Sequence, residues 1–93
     1  MNLSDLEEKY GTVGKIDGTE VAVYSRDNEI EVLENVCPHM GCQTAWNEAE
    51  QTWDCPCHGS RFAPTGKVIK GPATKPMKLL IHVIEDGELR LVE

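Results

Sequence analysis

No stretch of this 93-residue chain is apolar for the length that a membrane-spanning helix needs. The opening residues, MNLSDLEEKY, lack a basic segment followed by an apolar one, so neither a secretion signal nor a membrane anchor is expected, and the expected setting is cytoplasmic. A basic excess is also missing. Nine Lys and Arg stand against sixteen Asp and Glu, a net charge of -7, which argues against a nucleic-acid partner. Aromatic residues are few: Trp46, Trp53, Tyr10, Tyr24 and Phe62. A single domain this small buries a modest fraction of its surface, so a covalent staple or a metal would help to hold it. No repeat or low-complexity segment breaks the reading of one domain.

Acids are unevenly missing. Residues 1–35 carry nine acids and three bases, whereas Cys55 to Ile84 holds no acid and five bases: Arg61, Lys67, Lys70, Lys75 and Lys78. Two readings stay open. The lysines are solvated loop and strand positions, or they form a basic rim that steers an anionic ligand or an acidic patch on a partner.

What is present reads as mostly β. Residues 2–10 suit a short helix, capped by Asn2 or Ser4 and stopped at Gly11. Thr12–Ile16 and Val21–Ser25 flank Asp17-Gly18, a hairpin signal, and Ile30–Val36 continues the pattern. A second hairpin is expected around Asn47–Gln51, between the two tryptophans. Lys78–Ile84 is apolar at successive positions and predicts a strand buried on both faces, turned by Asp86-Gly87 into Leu89–Val92. The outer hairpins suggest a β-sandwich or barrel, and the centre a small inserted unit that carries a site.

All four cysteines and two of the three histidines fall in two short stretches, CPHMGC from residue 37 and CPCHGS from residue 55. They can be written Cys37-x-His39, fifteen residues, Cys55-x-x-His58. Two thiolates and two imidazoles can hold a zinc ion, but zinc sites of this size pair like ligands within each knuckle, and here each loop mixes one Cys with one His. A catalytic Cys–His pair would leave the second loop unexplained. A binuclear iron–sulfur cluster accounts for the mixture, with two cysteines on one iron and two histidines on the other. Two thiolates neutralise an oxidised core of two ferric irons and two sulfides, whereas four would leave a dianion. An electron enters a neutral centre more easily. The potential then moves from roughly -400 mV to between about -150 and +300 mV.

The stretches CPHMGC and CPCHGSRF, with Gly71-Pro72-Ala73, resemble the Rieske [2Fe-2S] family over nearly the whole chain. The run WNEAEQTWDCPCHGSRFAPTGKVIKGPATKP is similar to the Rieske domains that end certain FAD-dependent oxidoreductases. The resemblance implies an all-β fold, an antiparallel sandwich or barrel base (residues 1–35 and 65–93) with a two-loop cluster-binding subdomain (residues 36–64). It implies one [2Fe-2S] cluster per chain, with Cys37 and Cys55 on the inner iron and His39 and His58 on the outer one. The Ser60 hydroxyl would hydrogen-bond a bridging sulfide, and residues 71–73 would cover the cluster from a third side. Cys42 and Cys57 match the disulfide of the high-potential members. Phe62 stands where the highest-potential members carry a tyrosine.

The implied function is one-electron transfer without substrate turnover, by a carrier that is not itself an enzyme. It would act as a soluble ferredoxin or as the electron-transfer domain of a flavin-dependent oxidoreductase. Its partner would be a redox protein or domain, such as a flavoprotein. The alternative is a ferredoxin or subunit feeding an oxygenase or a quinol-oxidising complex. Met40 is read as shielding the cluster, Trp46 and Trp53 as packing, and His82 as structural.

Overall fold

The chain is described here as a computed structural model, which covers residues 1–6, 10–26, 29–38 and 41–92. Two Asp-Gly pairs set its hairpins. Asp17 and Gly18 both have positive φ (50° and 83°), and they join β1 (Gly11–Ile16) to β2 (Thr19–Arg26). Such a two-residue turn matches the right-handed twist of the strands it connects. Asp86 and Gly87 (φ 51° and 77°) do the same between β9 (His82–Glu85) and β10 (Glu88–Leu91). β3 (Glu29–Glu34) follows β2, and the two-residue β8 (Leu79–Leu80) completes a four-stranded antiparallel base sheet in the order β1-β2-β3-β8.

Side chains alternate between the faces of a strand, so each face of this sheet can carry its own core. Ile16, Val21, Val23 and Val32 point one way and pack with Leu6 and Leu89. Ala22 and its cross-strand partner Leu33 point the other way and pack with Trp53, Phe62 and Met77. The β9–β10 hairpin covers the first face. The second face meets another four-stranded antiparallel sheet, β4 (Ala45–Asn47), β5 (Thr52–Asp54), β6 (Arg61–Phe62) and β7 (Val68–Lys70), paired in chain order. The expected division at residue 64 falls inside this sheet, because Val68–Lys70 hydrogen-bonds to β6.

The expected tryptophan hairpin is present. Trp46 pairs directly with Trp53, their ring centroids 4.7 Å apart, and Tyr24 lies 5.6 Å from the Trp46 ring. Gly11 lets β1 pass beneath this stack, since a Cβ there would fall 2.1 Å from Trp46 Cδ2.

Two expectations change. The N-terminal helix is one 3-10 turn, Leu3–Leu6, with the Ser4 N–H donating to Asn2 Oδ1; residues 7–9 lie outside the described residues. Lys78–Ile84 is not one buried strand. It breaks at Ile81, which is 72% exposed, between β8 on the edge of the base sheet and β9 in a two-stranded hairpin; Leu79, Val83 and Ile84 are exposed as well. An edge strand and a two-stranded ribbon each leave a side uncovered.

Candidate metal centre

Two loops leave the second sheet at the same end. Residues 36–44 lead from β3 into β4, and residues 55–60 connect β5 to β6. Their backbones close in the same way. The Cys37 N–H donates to Cys42 O (2.6 Å) and the Gly41 N–H to Cys37 O (2.8 Å); the Cys55 N–H donates to Ser60 O (2.8 Å) and the Gly59 N–H to Cys55 O (3.0 Å). Gly41 and Gly59 have φ of 74° and 80°, a conformation that strongly favours glycine at that place. The loops are therefore equivalent at their first, fifth and sixth positions, with Cys37 matching Cys55, Gly41 matching Gly59 and Cys42 matching Ser60.

The thiols of Cys37 and Cys55 are free and buried, and both belong to the apolar cluster of Trp53, Phe62, Ala73 and Met77. That burial argues against the nucleophile reading, which needs an accessible thiol. Cys42 and Cys57 form a disulfide that ties one loop to the other. The Cys55 Sγ lies within 4.8 Å of both its sulfurs, but a disulfide has no thiolate to offer a metal, so Cys42 and Cys57 act as a clamp. His58 is exposed on the second loop, and His39 lies outside the described residues together with Met40. His82 is on β9, in the hairpin beyond the base sheet.

A third segment closes over the loops. The Ala73 N–H donates to Ser60 Oγ (3.0 Å), and both residues are buried. This bond uses Ser60 as an acceptor and leaves its own proton to donate elsewhere. The Gly71-Pro72 peptide in this segment is cis.

One pair of positioning residues escapes a reading of motifs. Asn35 is buried at the end of β3. Its Oδ1 accepts from the Thr44 N–H and the Thr44 hydroxyl (2.8 Å each), and its Nδ2 donates to Thr44 O (3.3 Å). This pins both ends of the first loop. The only sequence signal is a polar pair bracketing CPHMGC at strand boundaries.

The donor set fits an iron–sulfur centre. Two buried thiols come from two equivalent, clamped loops, and an imidazole stands on the exposed side. A model of the Rieske [2Fe-2S] domain matches residues 1–85. The chain belongs to the Rieske [2Fe-2S] family. Its cofactor is a [2Fe-2S] cluster. The crystal structure of the plasma-membrane Rieske protein PetC3 from Synechocystis PCC 6803 is similar over 99% of this chain and 95% of that one, with TM-score 0.83 and 31% identity. YhfW of Bacillus subtilis (strain 168), provisionally named a Rieske 2Fe-2S iron–sulfur protein, is 39% identical over 79 residues, 84% of this chain and 16% of its own length. The cytochrome b6-f complex iron–sulfur subunit of Chlorobaculum tepidum is 33% identical over 86 residues, 92% of this chain and 48% of its own length. This Rieske domain thus spans less than half the length of these two curated relatives. Among the described residues, no helix is long and apolar enough to cross a membrane.

Proposed function

We propose that this Rieske domain is a one-electron carrier that passes electrons between two protein partners and performs no substrate chemistry of its own. When bound, the cluster supplies a centre that gains and loses a single electron. We assign Cys37 and Cys55 as ligands to one iron and His39 and His58 to the other, with Ser60 donating its hydroxyl proton to a sulfide. The observation that carries this reading is the equivalence of the two loops around the buried thiols of Cys37 and Cys55, next to an exposed His58. The chain's own residues do the rest. Trp53, Phe62 and Met77 keep water from the thiols, and the disulfide ties together two loops that the β4–β5 pairing joins only at their roots. Residues 56–59 are all exposed, so this loop would give the electron a way out to a partner.

The domain would serve either as a free carrier or as a module of a larger oxidoreductase with a flavoprotein as donor. The module reading is supported by YhfW, in which the matching part is 16% of the length. A carrier in an oxygenase or quinol-oxidising system is the second reading, and the similarity to a cytochrome b6-f subunit favours it. The test is spectroscopic. The purified protein should be brown, bleach on reduction and then give an electron-spin signal. His58→Ala should abolish the colour and His82→Ala should keep it. A colourless wild-type protein, or loss of colour in His82→Ala alone, would refute the assignment.

A further inference from the structure

The strand register of the second sheet lines up four residues at the end from which the cluster loops leave. Ala45 pairs with Asp54, Asp54 with Arg61, and Arg61 with Lys70, so these four form one row across β4-β5-β6-β7. Glu48, Glu50 and Lys67 lie in the turns at the opposite end of the same sheet. Within the row, Arg61 Nε lies 3.5 Å from an Asp54 carboxylate oxygen, so these two charges offset each other. Lys70 is then left over, exposed, and leads straight into Gly71–Ala73, the segment tied to Ser60. Lys75 follows on the same segment and is also exposed. Neither lysine has an ion-pair partner among the described residues. The segments 36–44, 55–60 and 71–77 contain no Asp or Glu; the last of them starts at this end, tied to Ser60 through Ala73, and runs on to Met77, whose N–H donates to Gly66 O in the turn at the opposite end. Two positive charges therefore flank the Gly71–Ala73 segment that is tied to Ser60, on a chain whose net charge is -7.

We infer that the cluster end of this domain is an electropositive docking face, carried by Lys70 and Lys75, which receives an acidic face of the redox partner. The inference rests on the electron-transfer reading of this site. At physiological salt a charge is screened beyond about 8 Å, so an approaching partner senses the lysines beside its landing point more than the distant acids of the base. Complementary charge at the landing point raises the rate of productive encounter and fixes orientation.

The sign of a salt effect tests this. The reduced holoprotein is mixed by stopped flow with ferricyanide, an anion, or with tris(phenanthroline)cobalt(III), a cation. Each takes one electron from the cluster, giving ferrocyanide or the cobalt(II) complex. If the local charge is positive, the ferricyanide rate falls roughly tenfold between about 10 mM and 300 mM salt, and the cobalt rate does not fall. Lys70→Glu combined with Lys75→Glu should reverse the ferricyanide trend. Lys67→Glu, a charge reversal at the other end of the sheet, should leave it in place. Independently of electron flow, a dye-labelled oligoglutamate peptide should gain anisotropy with the wild type and with Lys67→Glu, and not with the double variant. A ferricyanide rate that rises with salt in the wild type, or a Lys67→Glu effect as large as that of the double variant, would overturn the docking face and leave the carrier reading intact. A protein that exchanges electrons with neither oxidant would overturn both.

Discussion

Ser60→Ala isolates one interaction at the site. The main chain keeps its place, because the Cys55 N–H still donates to the residue-60 carbonyl. What disappears is the hydroxyl, and with it the acceptor of the Ala73 N–H, 3.0 Å away. Ser60 and Ala73 are both buried, so no bulk water replaces the lost acceptor. Leaving a buried donor unsatisfied costs about 1–3 kcal/mol. For a domain of this size that lowers the melting temperature by roughly 5–20 °C. The loss should be localised, so the Ala73 amide should exchange with deuterium faster while amides of Val21 and Val23 in the base sheet keep their protection. A second readout separates the two roles assigned to the hydroxyl. If its own proton also goes to a bridging sulfide, the reduction potential should fall by roughly 65–130 mV, the scale of one hydrogen bond to a charged group. A lower melting temperature with an unmoved potential would mean that the hydroxyl ties down residues 71–73 and does not tune the cluster. An unchanged melting temperature and unchanged Ala73 exchange would refute the structural argument itself.

Gly11→Ala should destabilise the domain by about 1–3 kcal/mol, because the new methyl meets the Trp46 ring, which Tyr24 and Trp53 hold from two sides. Urea unfolding checks it, and adding Trp46→Leu should recover part of the loss, whereas strictly additive losses would show that the two residues do not meet. Phe62→Tyr places a hydroxyl in the fully buried cluster that holds Cys37 and Cys55. If that hydroxyl reaches a ligand sulfur the potential should rise by roughly 65–130 mV in film voltammetry, and an intact cluster at the original potential would count against it.

The parts of this fold that can be read from sequence are those with a local cause. Asp17-Gly18 and Asp86-Gly87 are legible because those residue types tolerate the positive φ that a tight hairpin demands. The tryptophan hairpin is legible because the mostly polar stretch Asn47–Gln51 separates two tryptophans. Lys78–Ile84 misleads because a run of apolar residues does not say what will lie against it. Its burial depends on how many strands are present to cover it, and here Leu79 is at a sheet edge and Ile84 is in a two-stranded ribbon. Asn35 and Thr44 are illegible for another reason. Their importance comes from a meeting across nine residues that the loop between them makes, and neither residue type announces it. The equivalence of the loops could have been found, since CPHMGC and CPCHGS both read Cys-Pro, two residues, Gly.

That shared spacing explains why the histidines are offset. The backbone of each loop fixes a cysteine at its first position and a glycine at its fifth. The remaining places must serve both ligation and clamping. In the first loop the third position is His39 and the sixth is Cys42. In the second loop the third position is Cys57, which the disulfide to Cys42 occupies, and the sixth is Ser60, which the Ala73 N–H occupies. With those two positions taken, the second loop has one inner place left for an imidazole, the fourth, and His58 stands there. Met40 holds the corresponding place in the first loop, where the clamp makes no demand. If His39 and His58 are the ligands proposed above, the different spacings Cys-x-His and Cys-x-x-His would arise from a single loop design in which the disulfide displaces one ligand by one residue. Moving the histidine of the second loop to position 57 would therefore remove the disulfide that ties the two loops together.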